Sequence, residues 1–296
     1  MLTYQSLSGA GNFLHEIQEK SWKGEIHSAF NRTINIISDS GELYTIASEE
    51  LDNAPNTLRV RGLFNKGPKI TVKTPVYSRK DQLIIGKTVA VTIQSASEWR
   101  YPQIEFPKKQ AYFRVRNRVA QVNEWMMQLG NTGGYLLNKT QATTYEKMIH
   151  VMLLQESEQL LVHLKEKQLF QAMKQLNRVI GLGPGLTPSG DDFLVGLALI
   201  FTTVNYPYHS LKQWLDNNRN ELKKRTNIIS YSALDWAIKG VARERLGLFL
   251  NELFYGESDS LLKRKMIDVL EIGSTSGGDI LTGMLAGIKL TMESSR

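Results

Sequence analysis

The sequence predicts an α+β protein with an N-terminal small β-barrel or sandwich followed by a mainly helical C-terminal domain. Three observations predict this class: short β-branched segments at close spacing in the first third, helical periodicity from Gln110 onward, and two prolines, Pro102 and Pro107, between the two patterns. The 296 residues, 42% of them hydrophobic, are enough for two domains. We therefore expect a β-rich domain over residues 1–107 and a helical domain over residues 108–296.

Residues 22–98 have the pattern of short strands separated by turns. The apolar run 34–37 is followed by a turn cluster and by a second apolar run, 43–46, which predicts a hairpin. Short strands at this spacing are typical of a small barrel or sandwich. Trp22 and Trp99 bracket the stretch, and we expect them to pack in its core or at the domain junction. Four further strands are predicted, over 58–61, 70–74, 82–85 and 88–94.

Beyond Gln110 the apolar residues recur every three or four positions, which predicts helices. The first has an apolar face from Val115 to Leu129, and the glycine-rich segment 130–134 ends it. We expect seven or eight helices in this domain. The later ones are predicted over 145–164, 169–180, 192–204, 210–224, 227–246, 259–271 and 279–292.

The composition excludes several kinds of chemistry. The chain has no cysteine, so disulfides, thiolate metal sites and a thiol nucleophile are excluded, and its five histidines include no pair four residues apart. The net charge of +7 is divided between residues 1–110 (+3) and the remainder (+4), without a basic tail, which argues against nucleic acid as the partner. The longest apolar run, 193–201, is about half the ~20 residues of a membrane span. No secretory signal is recognisable at the start, so we expect a cytoplasmic protein.

Residues 181–196 form the most informative segment. Its glycines, Gly183 and Gly185 among them, can adopt positive φ before a new helix begins. Either Thr187 caps that helix with Pro188 as its first residue, or Ser189 is the cap with Asp192 as its partner. Both alternatives leave backbone N–H groups beside the loop, which favours an anion site.

This loop differs from a phosphate-binding Walker loop. Gly190 is followed by Asp191 and Asp192 rather than by lysine and a hydroxyl residue. Two acids would repel a bare phosphate but would suit a magnesium-bridged phosphate, an ammonium group or an amide. Magnesium is therefore a candidate cofactor. Acidic residues also stabilise a first turn by themselves, so a purely structural role stays open.

A second segment, 273–283, shares the pattern Ser-Gly-x-Asp-x-Leu-x-Gly with the first. Ser276 corresponds to Ser189, Asp279 to Asp192 and Gly283 to Gly196. We expect the two helix starts to meet, with Gly196 and Gly283 at a helix–helix contact. The resulting pocket would contain N–H groups, hydroxyls and three carboxylates. The candidate catalytic residues are Asp191, Asp192 and Asp279.

A polar helix start lies between the two segments. Thr226 or Asn227 is its predicted cap, and the planar guanidinium of Arg225 could hold a carboxylate or phosphate. The alternative is a solvated basic helix end. The candidate substrate-binding residues of the whole site are Gly183, Gly185, Thr187, Ser189, Gly190, Arg225, Thr226, Ser230, Thr275, Ser276 and Gly277.

These segments resemble the signature of a bacterial family that includes the oxamate carbamoyltransferase subunit AllH. The resemblance is specific over residues 165–290, through 183–192, 275–283 and Arg225-Thr226-x-x-x-Ser230, and only architectural in the first third. It implies a cytoplasmic protein of allantoin or related nitrogen catabolism that acts with two other subunit types. The implied reaction converts oxalurate and phosphate into oxamate and carbamoyl phosphate.

Two functions follow for the chain. In the first it is a carbamoyltransferase subunit that binds a small anionic substrate at the paired helix starts. No histidine belongs to either segment, so an aspartate with a raised pKa would have to be the general base. In the second it is a non-catalytic scaffold or ligand-binding subunit that senses a nucleotide or carbamoyl phosphate.

Overall fold

A computed structural model describes residues 1–19, 22–138, 140 and 142–293. The chain divides into two compact units, Met1–Pro102 and Gln103–Arg296. The first is a β-barrel and the second is mainly helical, so the predicted α+β class is confirmed. No helix within the described ranges is long and apolar enough to cross a membrane.

Nine strands occur in the described part of the first unit, and eight of them close into a barrel. The strand order is β5-β4-β3-β2-β6-β7-β8-β1, and a pairing of β1 with β5 closes the circle while β9 lies along the end of β1. The strands are β1 (Leu2–Ala10), β2 (Lys23–Ala29), β3 (Thr33–Ser38), β4 (Leu43–Ser48), β5 (Thr57–Val60), β6 (Pro75–Ser78), β7 (Gln82–Ile85), β8 (Val89–Thr92) and β9 (Ser97–Trp99). Two helices accompany them, α1 (Gly11–Gln18) and α2 (Leu63–Lys66).

The interior of the barrel is apolar. Strand residues such as Ile36, Ile46 and Leu58 alternate toward it and are fully buried, and α1 adds Phe13, Leu14 and Ile17. Trp22 lies against Phe13 and Tyr44, at centroid distances of 5.5 and 5.2 Å, and Trp99 also packs on this core. The prediction that both tryptophans pack is confirmed.

The predicted strand over 70–74 is wrong. Lys73 has a φ of +64°, outside the β region, and the N–H of Thr74 turns back to the carbonyl of Thr71, at 3.3 Å. The chain therefore makes a turn there, and the strand begins at Pro75. The hairpin of β3 and β4 and the predicted strand over 82–85 are confirmed.

The second unit is built from ten α-helices in the described residues. They are α3 (Tyr112–Leu129), α4 (Thr144–Lys165), α5 (Leu169–Val179), α6 (Ser189–Phe201), α7 (His209–Asn217), α8 (Arg219–Lys223), α9 (Ile228–Ile238), α10 (Glu244–Tyr255), α11 (Asp259–Leu270) and α12 (Ser276–Glu293). Helix α6 is central: all of its residues are buried, and α4, α5, α7, α9 and α12 pack around it. Its start is therefore buried as well.

Two predicted helices are wrong in extent. The helix over 227–246 is two helices, α9 and α10, because Gly240 has a φ of +80° and ends the first. The helix over 210–224 is likewise divided into α7 and α8 at Asn218. By contrast α6 and α12 each begin three residues earlier than predicted, at the serine of the shared pattern.

Candidate functional site

The starts of α6 and α12 lie side by side. The hydroxyl oxygens of Thr187 and Ser276 are 3.0 Å apart. Farther along, a methyl group on Gly196 would overlap the carbonyl oxygen of Ile280, and one on Gly283 would overlap that of Phe193. The predicted contact of the two helices at these glycines is confirmed.

The two segments also share their backbone hydrogen bonds. The N–H of Gly190 donates to the carbonyl of Leu182, and the N–H of Gly277 donates to that of Ile272, both at 2.9 Å. Gly190 packs against the carbonyl of the last residue of α5, while Gly277 packs against that of Val269 near the end of α11. The shared sequence pattern therefore reflects a repeated helix–loop–helix unit.

Fewer backbone N–H groups are available to a ligand at these helix starts than the sequence predicts. The N–H groups of Asp191 and Asp192 donate to the carbonyl of Pro188, and that of Asp279 donates to the carbonyl of Thr275. Pro188 is the N-cap residue of α6, and no side chain caps that helix. Both predicted caps, Thr187 and Ser189, are thus wrong, because their hydroxyls face groups of the second segment instead.

Two carboxyl groups lie beneath these hydroxyls in a crossed arrangement. Asp192 is 5% exposed and lies beside the hydroxyls of Ser276 and Thr187; Asp279 is 0% exposed and lies beside those of Ser189 and Thr275. The carboxyl of each segment is thus paired with the serine of the other. Among the described residues, one oxygen of each carboxyl group, Oδ2, has no hydrogen-bond partner.

Burial dominates the electrostatics of this pair. Burial, with smaller contributions from the nearby Asp279 and Asp191, raises the pKa of Asp192 to about 8, against the lowering effect of the Ser276 and Thr187 hydroxyls. It raises the pKa of Asp279 to about 7, against the lowering effect of the Tyr135 N–H and two hydroxyls. Near neutral pH the pair can therefore both give and accept a proton.

Asp191 has a different position from its neighbour. Its carboxylate accepts hydrogen bonds from the N–H of Gly181, at 2.6 Å, and from the hydroxyl of Thr226. Burial raises its pKa, while these donors and Ser230 lower it. Asp191 thus connects the first loop to the start of α9. The carboxyl pair therefore consists of Asp192 and Asp279, without the third carboxyl that the sequence predicts.

The N-cap and first turn of α9 bind the loop that precedes α6 and do not face the carboxyl pair. Asn227 is the N-cap of α9, and its amide donates to the carbonyl of Leu186 at 2.8 Å. The hydroxyl of Ser230 donates to the same carbonyl at 3.4 Å. The guanidinium of Arg225 is paired with Glu221 at 3.0 Å and is 42% exposed.

The glycines allow the loops to pass close to the site. Gly183 and Gly185 have φ values of +116° and +98°, and Gly183 lies against the N–H of Ser189. Thr187, Thr275 and Ser276 are half-buried, whereas Gly185 is exposed. The hydroxyls thus separate solvent from the carboxyls below.

A third segment, residues 133–135, is part of the site and was not predicted from the sequence. Gly134 has a φ of +51°, and a side chain there would overlap the carboxylate of Asp279. The N–H of Tyr135 donates to Oδ1 of Asp279 at 2.8 Å, and the Tyr135 ring stacks on Phe193 at 5.0 Å. The glycine pair 133–134 was the available signal, but it also fits a simple helix end.

The residues present do not assemble a recognisable magnesium site. No group of three or more His, Cys, Asp or Glu side chains suited to a metal ion occurs in the described part of the chain. Asp191, expected to act with Asp192, instead binds Gly181 and Thr226. We therefore assign no magnesium here.

Comparison with known protein families gives two matches, one in each part of the chain. The AllH family N-terminal domain matches residues 5–98, and the oxamate carbamoyltransferase subunit AllH matches residues 179–288. The chain therefore belongs to the AllH family. Residues 99–178, which contain Gly134, Tyr135 and His150, lie between the two matches. No solved structure matched the chain.

Proposed function

We propose that the chain is a subunit of an enzyme that transfers a carbamoyl group between oxalurate and phosphate, giving oxamate and carbamoyl phosphate. We further propose that the carboxyl pair of Asp192 and Asp279 moves the protons of that reaction. The family description supports the first statement, since it names a carbamoyltransferase subunit. One observation supports the second: each carboxyl group has a buried oxygen that lacks a hydrogen-bond partner in the part of the chain that the structure describes.

The reaction requires proton transfer at two atoms. A phosphate oxygen forms a bond to the carbamoyl carbon, and the bond from that carbon to the oxamate nitrogen breaks. The departing nitrogen must gain a proton, and hydrogen phosphate must lose one. A protonated carboxyl group can supply the first proton while an ionised one accepts the second, which fits two neighbouring carboxyls with pKa values of about 8 and 7.

The hydroxyls above the pair suit the oxygen atoms of the substrates. Thr187, Thr275 and Ser276 are half-buried donors, and donors of this kind stabilise negative charge that develops on a carbonyl oxygen. Arg225 remains the candidate for the substrate carboxylate. It would have to exchange its exposed partner Glu221 for the substrate, and such surface pairs contribute only about 0–1 kcal/mol.

Access to the carboxyls requires the loops to move. Asp192 and Asp279 are almost fully buried, whereas residues 184–186 of the first loop are exposed. A partner subunit that displaces this loop would open the site. The isolated chain is therefore expected to have little activity, and the subunit description agrees with a requirement for partners.

The test uses the chain reconstituted with its partner subunits. Formation of oxalurate from oxamate and carbamoyl phosphate is measured for the wild type and for Asp192→Asn and Asp279→Asn. Loss of proton transfer should lower kcat at least about 100-fold in each variant. Asp268→Asn, a partly exposed aspartate of α11, is the matched control and should retain activity. Full activity of the double variant would refute the site, and inactivity of the reconstituted wild type would refute the reaction.

A second function is favoured by the internally bonded helix starts. Because the N–H groups of Gly190 and Gly277 already donate to loop carbonyls, the loops could simply hold α6 and α12 together in a non-catalytic subunit. Calorimetry distinguishes the cases. A heat of binding with carbamoyl phosphate or a nucleotide, together with no enzymatic activity of the complex, would favour a sensor. No heat of binding with carbamoyl phosphate, a nucleotide or oxamate would favour a scaffold.

A further inference from the structure

His150 lies behind the site, on the buried side of α4. Its Nδ1 is 2.8 Å from the carbonyl oxygen of Gly134, and the residue is 6% exposed. Because a carbonyl oxygen can only accept, Nδ1 must bear the proton in this contact. The imidazole therefore donates to the backbone of the segment that covers Asp279.

The carbonyl that His150 holds belongs to the same peptide unit as the N–H that reaches Asp279. The Gly134–Tyr135 peptide accepts from His150 at its oxygen and donates from its nitrogen to Oδ1 of Asp279, at 2.8 and 2.8 Å. The two hydrogen bonds fix the orientation of the peptide plane from both sides. They also polarise one another, because a peptide that accepts at oxygen donates more strongly at nitrogen.

We propose that His150 is a positioning residue of the carboxyl pair: it aims the Tyr135 N–H at Asp279 and thereby favours the ionised form of that carboxyl. The proposal rests on the proposed function for its catalytic consequence, although the structural relation can be tested separately. Gly134 is required for the same arrangement, since a side chain at this position would overlap Asp279.

The groups around Asp279 define what else can shift its titration. Asp192 of α6 is the other titrating carboxyl that faces it, Tyr135 approaches from the covering segment, and Ser189 and Thr275 are uncharged. Asp191 is turned toward Thr226. A background with Asp192→Asn therefore separates the titration of Asp279 from that of the carboxyl that interacts with it.

The test is a pH titration of the Tyr135 amide by NMR on the full chain labelled with ¹⁵N-tyrosine. The chain has 11 tyrosines, and the Tyr135→Phe variant identifies the signal. In the Asp192→Asn background the shift should titrate near pH 7, the pKa of about 7 expected for Asp279, and Asp279→Asn should abolish the transition.

Two polar substitutions then distinguish positioning from general packing. In His150→Asn the amide nitrogen lies where Nδ1 lies in histidine, so the hydrogen bond and the midpoint should be retained. His150→Gln extends the amide beyond this position, and the midpoint should rise by about half a pH unit or more. His150→Leu should show the same rise and replaces the Gln variant if the latter does not fold.

The result that overturns the proposal is an unchanged midpoint in His150→Gln and His150→Leu, or an equal rise in His150→Asn. Because the amide reports ionisation without any substrate, this outcome is independent of carbamoyl transfer. An inactive reconstituted enzyme with the expected midpoints would refute the proposed function while leaving the role of His150 in place.

Discussion

At the scale of single residues, the most unusual feature is the pair of buried carboxyls, which no cation among the described residues accompanies. In a typical buried acid, an arginine or lysine compensates for lost hydration. Among the described residues, the groups that act on Asp192 and Asp279 are hydroxyls, one backbone N–H, the neighbouring Asp191 and each other. Protonation is then the means of compensating for the lost hydration of these carboxyls. The pair therefore lowers stability when it ionises, and the same ionisation is the proton chemistry proposed above.

This cost predicts a pH dependence of stability. The pKa values of about 8 and 7 in the folded chain exceed the ordinary value near 4, so the folded state binds more protons than the unfolded state between about pH 4 and 8. The free energy of unfolding should therefore fall as the pH rises through this window. In Asp192→Asn and Asp279→Asn the fall should be smaller, by a few kcal/mol at most, at about 1.4 kcal/mol per pH unit.

Urea unfolding at pH 5 and pH 8.5 measures this effect. Relative to the wild type, both asparagine variants should gain stability between pH 5 and pH 8.5, while Asp268→Asn follows the wild type at both values. Asp191 and Glu16 have raised pKa values as well, so part of the fall persists in the variants. A pH dependence identical in the wild type and both asparagine variants would contradict the prediction.

At the scale of elements, the crossing of α6 and α12 determines how close the carboxyls lie. Gly283 faces the backbone of Phe193 and Leu197, which is part of a buried helix and cannot move aside. Gly283→Ala should destabilise the chain by about 1–3 kcal/mol, despite the helix propensity of alanine. Thermal or urea unfolding measures the loss.

Gly287→Ala is the matched control for this crossing. It makes the same change in the same helix, but the new methyl group would meet side-chain atoms of Ile200, at 3.0 and 3.2 Å, and of Leu197, at 3.3 Å. These side chains can adjust, so the cost should be smaller. Equal stability of Gly283→Ala and the wild type would show that the helices separate easily, and the close pairing of the two segments would then have another cause.

The sequence predicts this crossing because its signal is local and repeated. Glycine stands at the same place in two copies of one pattern, and a repeated pattern with an apolar helix indicates a paired structure. The segment of residues 133–135, which covers Asp279, has no such signal. The imidazole of His150 contacts the backbone carbonyl of Gly134, 16 residues earlier in the chain. Nothing in the local sequence distinguishes Gly134 from a helix end, or His150 from a buried core histidine.

At the scale of the whole molecule, the strands of the barrel could be predicted but their closure could not. β3 and β4 are visible as β-branched runs, whereas β1 is largely polar or small, with the sequence LTYQSLSGA. Its strand character comes from its neighbours, because it pairs with β5, β8 and β9. The sequence alone therefore does not distinguish a barrel from a sandwich, because the pairing of β1 decides between them.

Closure through β1 predicts that residues 1–102 fold alone. A closed barrel leaves few unpaired strand edges, and this one encloses its own core of buried residues such as Phe13, Ile36 and Leu58. About 100 residues is also an ordinary size for an independent domain. The fragment should unfold cooperatively on heating, as followed by circular dichroism, and give a dispersed NMR spectrum.

Removal of residues 1–10 should abolish both properties, because β5 and β8 then lose their common neighbour. A fragment without cooperative unfolding would show that the barrel depends on residues beyond Pro102.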